Sequence, residues 1–117
     1  MFQKHSRPGS NGRDVWLTER LWELASNLSV TRVAIEQIPE FDQNCWFDAR
    51  HPPTLRAIAK HARQIAAADL TRPVILSSDG RLMDGGHRLC KAWMQGETEV
   101  LAVRFEVDPP PDYTEAA

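Results

Sequence analysis

Cysteine is scarce: Cys45 and Cys90 are the only two in 117 residues, and they make no C-x-x-C pair. That excludes a disulfide-dense secreted scaffold and points to free thiols in a reducing compartment. No stretch of 18 apolar residues occurs, and the opening Met1-Phe2-Gln3-Lys4-His5 lacks the apolar core of a signal peptide. The expectation is a soluble, cytoplasmic protein with no membrane partner. Neither sign of charge prevails, since 14 Lys+Arg face 16 Asp+Glu for a net charge of −2. A strongly basic nucleic-acid binder is therefore disfavoured, and DNA binding by this chain unaided is not expected. His51, His61 and His87, with the two cysteines, fall into no C-x-x-C or H-E-x-x-H frame, so no metal site is expected.

The length and a hydrophobic content of 42% suit one ordinary domain. Residues 1–13 carry Lys4, Arg7 and Arg13 without an acid, and 106–117 carry Glu106, Asp108, Asp112 and Glu115 without a base. Pro8-Gly9 in the head and Pro109-Pro110-Pro111 in the tail oppose regular structure. The division expected is a flexible basic arm over 1–13, a folded domain over 14–105, and an acidic proline-rich tail over 106–117. Opposite charge could draw the two ends together or aim each at a partner, but short charged termini are ordinarily just solvated, and no function is assigned to them.

Within the domain, Leu17, Leu21, Leu24, Ala25 and Leu28 recur at helical spacing and predict a helix over about 15–28, with Asp14 as its cap. Val33 and Ile35 predict a short strand ended by Pro39. Residues 40–53 read as a loop anchored by Trp46-Phe47. Thr54 then caps a second helix, ending near Asp69-Leu70, in which Leu55, Ile58, Ala59, Ala62, Ile65 and Ala66 share one face. Residues 73–77 and 81–83 form a hairpin across Ser78-Asp79-Gly80. Gly85-Gly86 breaks the second strand, a helix runs from His87 to Gln95 and closes at Gly96, and residues 99–105 form a last strand, buried on both faces except at Arg104. The fold class is α+β.

Chemistry concentrates at Asp84-Gly85-Gly86-His87-Arg88. Two glycines let the backbone approach a ligand, and a helix beginning there points free N–H groups outward, an arrangement that suits an anion. Arg88 offers a fork for two phosphate oxygens, His87 a donor, and Lys91 a cation one turn on. Asp84 could hold Mg²⁺ beside a phosphate or accept a proton, which makes Asp84 and His87 the candidate catalytic groups. The competing reading is that the glycines only turn the chain while Asp84 and Arg88 pair with each other.

The run from Pro73 to Leu89 resembles the core of the ParB/sulfiredoxin superfamily, which places a glycine, a variable residue, a histidine or arginine, and an arginine between a hairpin and a helix. It looks most like small stand-alone ParB-like bacterial proteins, through Ala68-Asp69-Leu70, Met83-Asp84-Gly85, His87-Arg88, Lys91-Ala92, Ala102-Val103, Phe105 and Pro111-Asp112-Tyr113. The resemblance spans about residues 33–113 and implies a single domain with a small mixed sheet and packed helices. It also implies a phosphate-binding turn on Gly85, Gly86, His87 and Arg88. Gly86 stands where ParB CTPases have an acidic residue and His87 where they have an arginine, which argues against CTP hydrolysis. Gly86 also occupies the position of the sulfiredoxin catalytic cysteine, so that chemistry has no nucleophile here.

Three functions are thus expected in order: binding of a nucleotide, with Mg²⁺, or of another phosphorylated ligand at Gly85, Gly86, His87, Arg88 and Lys91; a phosphotransferase or nucleotide hydrolase at the same place, with Glu36 or Glu40 offered as base; and a partition-related interaction module with a protein partner or a second copy.

Overall fold

The computed structural model describes residues 3–116. The strands are β1 (Lys4–Gly9), β2 (Gly12–Leu17), β3 (Thr31–Ala34), β4 (Val74–Leu76), β5 (Leu82–Asp84), β6 (Glu99–Arg104) and β7 (Tyr113–Glu115). The helices are α1 (Thr18–Ala25), α2 (Leu55–Ala67) and α3 (Gly86–Met94), with 3-10 turns at Ile35–Gln37 and Pro39–Asp42. No helix of the described residues is long and apolar enough to cross a membrane. The architecture is α+β.

A four-stranded mixed sheet runs in the order β3-β6-β4-β5. β6 pairs antiparallel with β3 and parallel with β4, and β4–β5 is an antiparallel hairpin. Strand alternation sends side chains to opposite faces, and each face has its own core. Val74, Leu76, Leu82, Val100 and Ala102 meet Leu89 and Ala92 of α3 on one side. Ile75, Met83, Val103 and Phe105 meet Trp16, Leu21 and Ala25 on the other. β6 lies inside the sheet and contributes to both cores, in keeping with the expected burial of both its faces, and the exposed Arg104 at its end donates from Nε to the Ser78 carbonyl at 3.0 Å.

Three expectations are corrected. The predicted helix over 15–28 begins only at Thr18; Asp14, Val15 and Trp16 lie in β2, and Leu17 stands at the helix start without a side-chain cap. Helical spacing alone could not separate these residues from the helix, because what makes them a strand is pairing with β1 on one side and β7, about a hundred residues away, on the other. The strand at Val33 ends at Ala34, and Ile35 begins a 3-10 turn.

The two ends, expected as loose arms, form the sheet β1-β2-β7. Their opposite charges meet, Lys4 with Glu115 at 3.0 Å and Arg7 with Asp108 at 2.9 Å. Prolines lack a donor but keep a carbonyl, and the Trp16 indole N–H uses it, donating to Pro109 O at 2.9 Å. Asp112 binds from both backbone and side chain: its N–H donates to Val15 O at 2.8 Å, and its Oδ2 accepts from Leu17 N–H at 2.7 Å.

Candidate functional site

The hairpin turn is built by short polar contacts. Ser77 Oγ is shared between the Asp79 carboxylate and the Arg81 N–H, and Gly80 supplies the positive φ of 81°. Glu40 reaches across from its 3-10 turn and is 10% exposed; Oε1 accepts from Leu82 N–H at 2.9 Å and Oε2 from Arg81 Nε at 2.5 Å. Glu40 is therefore a structural clamp on β5, which accounts for a carboxylate offered above as a base. Glu36 is exposed on its own turn.

β5 ends at Asp84, and Gly85 takes φ 122° to swing the chain into α3. A Cβ at Gly85 would stand 2.5 Å from Val74 Cγ1, so the backbone can pass over the sheet only without a side chain. The first intrahelical bond is made by Leu89 N–H to Gly85 O at 3.0 Å. The N–H groups of Gly86, His87 and Arg88 thus precede the helical ladder and point from the start of α3.

The charged side chains predicted around this turn are engaged inside the protein. Arg88 donates from NH2 to Asp84 Oδ2 at 2.6 Å and from NH1 to Pro73 O at 2.5 Å, with both partners of the ion pair largely buried. This is the pairing that competed with the phosphate reading. Lys91 donates to Ala66 O at 2.9 Å and Ala68 O at 2.7 Å, capping the C-terminal end of α2. Lys91 is thereby drawn away from the glycine turn. His87 Nε2 stands 2.8 Å from His61 Nδ1, so one facing nitrogen donates and the other accepts. Burial and then the neighbouring His61 hold the His87 imidazole below its usual range, and burial does the same to His61. Both shifts favour the neutral imidazole, and a facing pair this close cannot carry a proton on both facing nitrogens.

Trp46 lies flat on this pair, with centroids 4.2 Å from His61 and 4.5 Å from His87 and planes within 13°. The two imidazoles are only 5.1 Å apart, so they occupy the same face of the indole; on opposite faces they would stand nearly twice as far apart. Phe47 meets His61 edge-on. The loop presents these rings because Asn44 closes on Phe47 through its N–H at 3.1 Å and its carbonyl at 2.9 Å, while Asp48 Oδ1 accepts from Arg50 and His51 N–H groups. The loop is anchored by Trp46-Phe47, as its sequence suggests, and the anchor rests on the start of α3: a Cβ on Gly86 would sit 3.3 Å from the indole.

These elements border a groove of about 1100 Å³ that runs from the α3 N-terminus to β1 and β5. A smaller hollow of about 300 Å³, lined by Phe41, Asn44, Phe47 and Leu89, also reaches Trp46. In the same groove Trp22 donates from its indole N–H to Asp84 Oδ2 at 2.8 Å, and Arg72 lies 4.3 Å over the Trp22 ring. Arg72 makes no ion pair among the described residues. Sequence reasoning missed Trp22 and Arg72. Trp22 left one trace, a large aromatic off the apolar face of its helix; Arg72 left none. No group of three His, Cys, Asp or Glu side chains is gathered in metal-binding geometry among the described residues. Comparison with protein families, with characterised proteins and with solved structures returns no match, so the reading of this groove rests on its own chemistry.

Proposed function

We propose that the chain is a ParB-like domain protein that binds a nucleotide or another phosphate-bearing small ligand in the groove at the start of α3. The observation that carries this is the juxtaposition of unpaired backbone N–H groups at Gly86, His87 and Arg88 with the flat Trp46 surface and the Arg72 guanidinium around one open groove. Helix N-terminal N–H groups and the helix dipole favour an anion. An aromatic surface beside it suits a base, and Arg72, a groove cation with no ion pair among the described residues, is placed to meet a second phosphate. Arg88 contributes through its backbone N–H and by holding the turn in shape; its side chain and that of Lys91 are not ligands in this reading. Any Mg²⁺ accompanying the nucleotide would be held at the Asp84 carboxylate, whose Oδ2 already accepts from Arg88 and Trp22.

The test is a thermal-shift screen with CTP, ATP, ADP, GTP and inorganic phosphate, with and without Mg²⁺, since selective binding to the native state raises its melting temperature. A shift with a nucleotide is expected, and Arg72→Ala should weaken that ligand by about 1.5–3 kcal/mol, the worth of a charge-assisted contact. Folded protein with no shift for any of these ligands overturns the assignment.

A further inference from the structure

Helix α2 turns the wrong face inward. The side chains packed against the protein are those of Ala57, His61 and Ile65, whereas Leu55, Ile58, Ala59, Ala62 and Ala66 are exposed, Leu55 at 88% and Ile58 at 48%. An amphipathic helix ordinarily buries its apolar stripe; this one turns a neighbouring, half-buried strip inward because the stacked His61 and the Lys91 contacts to Ala66 O and Ala68 O fix its roll against α3. Flanking the exposed apolar stripe, Arg56, Lys60 and Arg63 follow at spacings of four and three and form one cationic row. None of them makes an ion pair among the described residues, and no acid occurs from Ala49 to Ala68 in a chain whose net charge is −2.

We propose that the outer face of α2 is the docking site for an acidic amphipathic helix of a partner protein, its apolar ridge on Ala59, Ala62 and Ala66 and its carboxylates against Arg56, Lys60 and Arg63. The choice of occupant follows from side-chain size and charge. Three of the five exposed apolar positions are alanine, which lets another helix approach to about 8 Å, but offers little area to a bilayer, whose affinity scales with apolar surface buried. A second copy is disfavoured by charge: an antiparallel isologous α2–α2 contact brings two cationic rows side by side, and a parallel one leaves both rows without a carboxylate partner. The inference is independent of the ligand groove.

The experiment uses the full chain and two stapled helical peptides with the same leucine stripe, one flanked by glutamates and one by lysines, with binding read by fluorescence anisotropy. The glutamate peptide should bind at least about tenfold more tightly than the lysine peptide, and weaken as salt rises from about 50 to 300 mM. Ala62→Glu, and separately Arg56→Glu with Lys60→Glu, should each reduce that binding about tenfold or more while circular dichroism and melting stay close to those of the parent, because all three positions are exposed. No binding of either peptide, or equal binding of both, refutes the proposal. So does stronger association with vesicles containing phosphatidylserine, or sedimentation as a dimer that Ala62→Glu dissolves; these would assign the face to a lipid surface or to a second copy.

Discussion

Replacing Gly85 by alanine should damage this fold far more than the same change one residue later. Gly85 has φ 122°, and its new Cβ would meet Val74 at 2.5 Å from Cγ1, 2.8 Å from Cβ and 3.2 Å from Cα. Val74 is fully buried in the central sheet, so the contact with its backbone cannot be relieved by a rotamer change. An L-residue in this backbone region costs about 1–3 kcal/mol, and overpacking a core site adds about 1–3 kcal/mol. The expected loss is about 2–6 kcal/mol, measured as a lower midpoint of urea unfolding at unchanged slope. Gly86 is already helical, its Cβ would meet only the Trp46 ring edge at 3.3 Å, and a Gly-to-Ala change in a helix is worth up to about 1 kcal/mol. Gly86→Ala should therefore change stability by less than about 1 kcal/mol while shifting the Trp46 indole N–H resonance. A loss below about 1 kcal/mol for Gly85→Ala would show that the turn does not require a glycine and would refute this account of how α3 is started.

Arg88→Ala should destabilise by about 3–5 kcal/mol in the same assay, because it leaves the largely buried Asp84 carboxylate without its guanidinium; an unchanged midpoint would mean that the pair contributes little. Lys91→Met should cost about 0.5–1.5 kcal/mol through the lost bonds to the end of α2, with amide exchange speeding at Ala66–Ala68 rather than at the glycine turn. Stability should fall as the pH drops from about 6.5 towards 5. Burial lowers His5 to about 4, and His61 and His87 are lowered too, so in that window the unfolded chain binds more protons than the native one. His5→Phe should flatten that slope, and a parallel slope would remove His5 from the account.

What is local in the chain was legible without the structure. Thr54 caps α2 through its side chain, Gly80 and the polar residues beside it close the β4–β5 hairpin, and Gly85 starts α3. Each rests on backbone preferences that act within a few residues. The two-sided apolar pattern of residues 99–105 marked a strand buried on both faces, while its place between β3 and β4 came from tertiary pairing. The tertiary structure alone decided the rest. Val15 and Trp16 became a strand, and the charged ends a sheet, through partners far off in sequence. The meaning of each charged residue at the turn was likewise a matter of neighbours: Arg88 faces Asp84, Lys91 the end of α2, and His87 a histidine from another helix. The roll of α2 carries the same lesson, since amphipathicity gives a helix an apolar face but only packing determines where that face points.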